Sequence, residues 1–385
     1  MSFQIKKLVI FGSWPKAILG SCVLALSMEI VATAQDNVQR IVEDWQRRQE
    51  KMSIVKYVYE GDCVVPKGSM TGHAMLGEDV KGEVPPEDYR YKRQFVLLLD
   101  FERNRVRREV REERLWLPDG RFYPAFNVHL FDGTSFQHYM PAKENWPGGR
   151  PPHRYQVELD LQTDRYSAFV IENIDFPIFF AHGIFPSRTA SISPALLRIP
   201  LERDWFGYHG EAPTRDGQCT VLRTQAFHSG SFGEYWVDPT RESAVIRYVA
   251  HSKGRPTHTA DISHRNTEHG WMPEKWTLSR FDSKGGLERT ETCEIKLFEP
   301  NATVEASDFH MDRIPGMLVS DVAANKSYRV GEPGKPDVDV AVLLAQDQSG
   351  ANPWGWRAIV FGASLGLAIM ILGWWLRFRR ARTVK

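Results

Sequence analysis

Two runs near residue 280 do most to restrict the fold. From Trp271 to Phe281 and from Leu287 to Phe298, apolar and polar residues alternate, and Asp282-Ser283-Lys284-Gly285-Gly286 separates the runs. A period of two sends successive side chains to opposite faces, which a helix of 3.6 residues per turn cannot do. The pair reads as a β-hairpin. Met272, Trp276 and Leu278 share one face of its first strand, and Cys293, Ile295 and Leu297 share a face of its second.

The same period recurs along the chain. Val55, Tyr57, Tyr59 and Cys63 alternate with Lys56, Glu60 and Asp62, while Phe95, Leu97, Leu99 and Phe101 lie on one face of the next strand. Asn104 to Leu115 is densely charged and reads as an exposed strand, with a short helix as the alternative. Arg121–Phe131 and Phe136–Met140 flank the turn Asp132-Gly133-Thr134, and Gly233–Val237 and Ala244–Ala250 flank Asp238-Pro239-Thr240-Arg241. Tyr155–Leu161, Ser167–Asn173 and Thr257–Arg265 complete the set. Short strands joined by tight turns predict a large antiparallel meander with one dry face, not a βαβ fold.

Two stretches depart from the alternation. Asp36 can cap a helix on which Val38, Ile41, Val42 and Trp45 form one apolar stripe, expected to pack on the sheet through Trp45. Phe176-Pro177-Ile178-Phe179-Phe180-Ala181-His182-Gly183-Ile184-Phe185 is intensely apolar but too short to span a bilayer. It reads either as a core-packing helix or as a plug inside a concave sheet.

The ends carry targeting information. Lys6, Lys7 and Lys16, the apolar stretch Ala17–Met28 and Ala32-Thr33-Ala34 make residues 1–34 read as a signal peptide. An uncleaved anchor helix and lipoprotein processing at Cys22 are the alternatives. Ala358–Leu376 contains no charge and would measure roughly 28 Å as a helix, close to a bilayer's apolar thickness. Trp354, Trp356, Trp374 and Trp375 flank it, and Arg377, Arg379, Arg380, Arg382 and Lys385 follow, which places the C-terminus in the cytoplasm. The expected layout is a signal peptide over 1–34, an extracytoplasmic body over 35–328, a Pro/Gly/Asp-rich tether over 329–356 in which Val338–Ala345 forms a short helix, a transmembrane helix over 357–376 and a basic tail over 377–385. That is a single-pass protein of a bacterial inner membrane with its body in the periplasm.

Composition narrows the function. Without the ends the chain has 41 cations against 47 anions, so a nucleic-acid footprint is not expected. Cys63, Cys219 and Cys293 allow one bridge and a free thiol, or three buried thiols, but no CxxC is present. His251, His258, His264 and His269 crowd one region, yet His258 and His264 stand roughly 20 Å apart along a strand, too far for one metal. Gly362-Ala363-Ser364-Leu365-Gly366 fits GxSxG but lies inside the membrane run, which excludes a nucleophile elbow. Gly362 and Gly366 instead offer a close-approach face for a transmembrane homodimer. No P-loop or GxGxxG occurs, and no residue set supports an enzyme, a metal or a cofactor.

Several phrases, in order, resemble the LolA/LolB-type outer-membrane lipoprotein-sorting fold, in an expanded, membrane-anchored planctomycete-like variant. They are Val38–Trp45, Leu130-Phe131-Asp132-Gly133-Thr134-Ser135, Glu234-Tyr235-Trp236-Val237-Asp238-Pro239, Gly270–Trp276, and Ser307–Asp312 followed by Pro315-Gly316, Val319 and Asp321. The resemblance covers residues 36–322. It implies an α+β body: a curved antiparallel half-barrel whose open side is closed by helices and whose hollow takes acyl chains. Phe176, Phe179 and Phe180 would belong to the cover. The wall candidates are Phe95, Leu97, Leu99, Met272, Trp276, Leu278 and Ile295. The function expected is a membrane-tethered binding module for a lipid or lipoprotein acyl chain; the alternative is an envelope-sensing ectodomain acting through a membrane or cytoplasmic partner.

Overall fold

A computed structural model describes residues 35–71, 80–116, 121–140, 155–160, 172–185, 201–215, 217–224, 230–321, 324 and 326–341. The expected signal peptide, strand Ser167–Asn173 in all but its last two residues, transmembrane run, basic tail, Gly362 and Gly366 lie outside them. Among the described residues no helix is long and apolar enough to cross a membrane. The chain divides into two compact units: residues up to 138 with 160–311, and 139–159 with those from 312 onward.

The first unit opens with helix α1 (residues 35–50), whose stripe Val38, Ile41, Val42 and Trp45 is buried as the spacing predicts. The strands follow: β1 (Ile54–Val65), β2 (Tyr89–Asp100), β3 (Arg105–Trp116), β4 (Arg121–Phe131) and β5 (Ser135–Met140), then β6 (Tyr155–Asp160). After helix α2 (Phe176–Ala181) come β7 (Phe206–Thr214), β8 (Gly217–Thr224), β9 (Phe232–Asp238), β10 (Ala244–Ser252), β11 (Arg255–Thr267), β12 (Gly270–Phe281) and β13 (Leu287–Pro300). The hydrogen-bonded order in this unit is β5-β4-β3-β2-β1-β13-β12-β11-β10-β9-β8-β7. The pairings described in it are antiparallel, so the meander is observed, in two runs, β1–β5 and β7–β13, joined at the centre of the sheet by the β1–β13 ladder. The charged stretch from Asn104 is strand β3, not a helix. It is not wholly exposed either: Val106, Arg108 and Val110 turn inward.

The sheet is curved, and segment 172–185 shows it. Asp175 meets Arg108 on β3 at 2.8 Å, while Phe185 meets Phe206 on β7 with ring centroids 5.2 Å apart. Those strands stand nine places apart, roughly 43 Å across a flat sheet. The ten residue steps from Asp175 to Phe185, six of them helical, reach only about 23 Å, with side chains adding about 12 Å. The sheet must therefore bend around the segment. Phe176 and Phe180 reach Tyr248 on β10, and Phe180 and Phe185 reach Tyr235 on β9. Trp45 packs on Phe185 and Phe206 and donates from Nε1 to the Ser243 carbonyl at 2.7 Å. Helix α1 thus clamps the segment as well as touching the sheet.

One side-chain assignment is corrected. Val58 pairs with Leu297 but Tyr59 pairs with Ile295, so Lys296 is an extra residue in β13. Such a bulge flips the strand's faces: Ile295 stays buried, while Leu297 is 44% exposed and Phe298 stacks on Tyr57 instead. The three cysteines are free and buried, which settles the thiol alternatives.

In the second unit β14 (Leu318–Asp321) runs parallel to β6 and antiparallel to β15 (Lys326–Arg329), which pairs with β16 (Val338–Asp339). The helix expected over Val338–Ala345 therefore begins as a strand edge; residues 340 and 341 are helical and the rest lies outside the described residues.

Gly183 has φ +67°, and a Cβ there would stand 2.2 Å from the Trp45 carbonyl oxygen. Gly183→Ala should cost about 3 kcal/mol or more, read as a lower urea midpoint, because it meets both backbone strain and a clash. Burial, then Arg48 and Arg241, push the His264 imidazole down to about 3; burial, then Arg280 and Arg289, push His258 down to about 4. Unfolded, both titrate near pH 6.5. Between those values the unfolded chain binds more protons, so stability falls as pH drops from about 6.5 toward 4. His264→Gln should flatten that fall; a parent midpoint unchanged between pH 7 and 4.5 contradicts the assignment.

Candidate functional site: a filled concave face with a buried charge cluster

The inward residues of β1, β2, β12 and β13 form the apolar wall. Phe95 stacks on Tyr59 at 4.5 Å, and Tyr59 meets Trp276 at 5.3 Å. Leu97, Leu99, Met272, Leu278 and Ile295 are buried too, and Met272 accepts a hydrogen bond from the Tyr57 hydroxyl. Helix α2 packs against β12 and β10, and all six of its residues are buried. Phe179 is fully enclosed, and Phe176 and Phe180 are nearly so. The structure thus buries every proposed wall and cover residue in the first unit, and the concave face is occupied by the chain's own segment.

Where α2 begins, the face changes character. Arg93 on β2 is 1% exposed; it holds Glu291 of β13 at 2.9 Å, Glu112 of β3 at 2.7 Å and Glu172 at 3.1 Å. Arg108 on β3 has no exposed surface. Its Nε donates to Asp175 at 2.8 Å, and its Nη1 and Nη2 stand 3.3 Å from Glu172. Tyr59 donates its hydroxyl to the other Asp175 oxygen. Glu172 and Asp175 also bracket the 3-10 turn Asn173–Asp175, each carboxylate taking a backbone N–H of the turn. The guanidinium groups of Arg93 and Arg108 stand 4.7 and 5.6 Å from the Phe95 ring centre, so they cap the aromatic wall. Gly61 makes room for this pairing, because a Cβ there would fall 2.7 Å from a Glu291 carboxylate oxygen.

The electrostatics follow from burial opposed by pairing. Burial raises the Glu172 carboxyl, but Arg108 and Arg93 outweigh it and hold the group well below the usual range. Burial dominates at Asp175, whose carboxyl is raised despite Arg108. Burial also raises the Tyr59 hydroxyl, and neighbouring Asp175 raises it further, so it remains a donor. Among the described residues no group of His, Cys, Asp and Glu is arranged to hold a metal ion. A cleft of about 400 Å³ beside the wall residue Trp276 is lined by Arg215, Asp238, Arg241, Asp261 and Lys275 as well as by Ile246 and Ile262, a mixed polarity unlike that of the aromatic wall.

The cluster was not among the candidates read from the sequence. Its signal is nonetheless there: Arg93 sits two residues before Phe95, Arg108 lies between Val106 and Val110, and Glu291 sits two before Cys293. Each is a charge at the inward position of an alternating strand.

No family model matches the chain, and no curated protein matches it significantly. Among solved structures it is similar to a "putative outer membrane lipoprotein-sorting protein domain" from Vibrio parahaemolyticus, at 10% identity over 71% of this chain and 97% of that one, with a TM-score of 0.39. An uncharacterized conserved protein from Thermus thermophilus is 9% identical over 74% of this chain and 99% of that one, with a TM-score of 0.28. A chain of the Pseudomonas aeruginosa MucA/MucB complex is 13% identical over 70% of this chain and 100% of that one, with a TM-score of 0.20. The sorting-type resemblance of the sequence phrases is thus met by a neighbour of that kind. At these TM-scores no property of the neighbours is transferred to this chain.

Removing one partner of a buried pair strands the other charge. Arg93→Met should cost about 3–5 kcal/mol in urea unfolding, and adding Glu291→Met should recover a large part of that loss. Strictly additive losses would show that the pair is not coupled.

Proposed function

We propose that the first unit is a binding module for an apolar ligand, a lipid or a lipoprotein acyl chain, and that segment 172–185 occupies the ligand's place on the concave face. One observation carries this reading. The residues filling the face are a six-residue helix and its flanking turns, buried throughout from Ile174 to Phe185, attached at one end by an ion-pair cluster and not built in as a strand. A sixteen-carbon chain gains about 12 kcal/mol on leaving water. The segment's seven large buried apolar side chains, Ile174, Phe176, Ile178, Phe179, Phe180, Ile184 and Phe185, gain about 2–3 kcal/mol each, so an entering acyl chain offsets a large part, though not all, of the cost of displacing them. A site of this kind stays dry when empty of ligand and still opens to one.

The sequence supports a location for the module: an uncharged run of nineteen residues followed by five cations would tether it to a bacterial inner membrane, body outward. In that setting the Gly362/Gly366 face would bring two copies together. The reading requires no catalytic group.

The full chain, in a lipid-free non-ionic amphipol, should bind the neutral fluorescent probe N-phenyl-1-naphthylamine saturably. Amide hydrogen exchange across residues 172–185 should rise on saturation. Binding without saturation, or saturation with no change over that segment, rules the reading out.

A further inference from the structure

We propose that the ligand is an anionic amphiphile, whose oxyanion head binds Arg108 and the Tyr59 hydroxyl where Asp175 and Glu172 sit in the structure. The inference rests on the apolar-binding reading and adds the chemical class of the ligand.

The segment that fills the face is itself built head-then-tail. Two carboxylates, Glu172 and Asp175, come first; Phe176, Ile178, Phe179 and Phe180 follow directly along the wall. A fatty acid or an acyl phosphate ester presents the same order of groups, an oxyanion and then an unbroken apolar length.

The two arginines would fare differently if the segment left. Arg93 keeps Glu291 and Glu112, both carried by strands of the sheet. Arg108 keeps neither of its ion-pair partners, because Glu172 and Asp175 both belong to the segment. It has no exposed surface, its Nη2 makes no hydrogen bond even with the segment in place, and the Phe95 ring lies beside it. A neutral ligand that displaced both carboxylates would leave this guanidinium without a counter-charge and so bind more weakly than an anionic one of the same length. An oxyanion would restore the pairing and accept the Tyr59 hydroxyl that now serves Asp175. The fork of Arg108 suits a carboxylate or a phosphate equally, and the chain length is set by the wall.

The test compares competitors of one chain length against N-phenyl-1-naphthylamine on the full chain at pH 7.5: palmitate, hexadecyl phosphate and hexadecanol. Palmitate, hexadecyl phosphate or both should displace the probe at a concentration at least ten-fold below that of hexadecanol, and the stronger of the two names the head. Arg108→Met should bring the acids to within about two-fold of the alcohol. Should that variant fail to fold, Tyr59→Phe, which removes only the hydroxyl, should narrow the gap several-fold. Equal displacement by acid and alcohol on the parent chain overturns the head site while leaving apolar binding intact. An undiminished gap in the variants overturns it as well. Absence of saturable probe binding removes both readings together.

Discussion

A guanidinium with no exposed surface must be neutralised where it stands, and Arg108 meets that demand with the two carboxylates that open segment 172–185. The pairing fixes where the segment enters the concave face. From that point the run Phe176–Phe185 has one course: along the aromatic residues of β10 and β9 to Phe206, where Trp45 closes over it. Position and composition thus reinforce each other. The charges set the register of the helix on the sheet, and the rings supply the buried area that makes the charges tolerable. Neither half is stable alone, since an unpaired charge or an exposed run of phenylalanines would each be costly.

Much of this architecture is written in the alternation of side chains. β1, β2 and the hairpins β9–β10 and β12–β13 are legible because each has one wet face and one dry face. β7 and β8 are not. Gly207, Gly210 and Pro213 interrupt β7, and Cys219-Thr220-Val221-Leu222 is buried on both sides, so neither strand carries the period of two. The exposure of Leu297 is equally hidden, because a bulge leaves no mark in a list of residue types. The charge cluster was missed for a different reason. Arginine on a strand is normally read as solvent-facing, and only its place in the alternation, between valines or beside a phenylalanine, points it inward.

The burial of Phe95, Leu97, Leu99, Met272, Trp276, Leu278 and Ile295 in one unit was the feature best read in advance. What the sequence left open was whether Phe176–Phe185 packs the core or covers a hollow. The geometry makes those the same thing: the run packs the core by lying in the curve of the sheet. A curved sheet with an inner face this aromatic cannot remain empty in water, and here the chain supplies its own filling from the middle of its length.

Helix α1 stands at the front of the described chain, yet its anchor points arrive late. Gln49 donates to the Gly183 carbonyl 134 residues further on, and Trp45 to the Ser243 carbonyl 198 residues further on. A polypeptide delivered N-terminus first would therefore carry the greasy ridge of Val38, Ile41, Val42 and Trp45 unsheltered until more than half its length had emerged. An early-made helix is thus among the last to settle, and the interval in between is when such a chain most needs a chaperone.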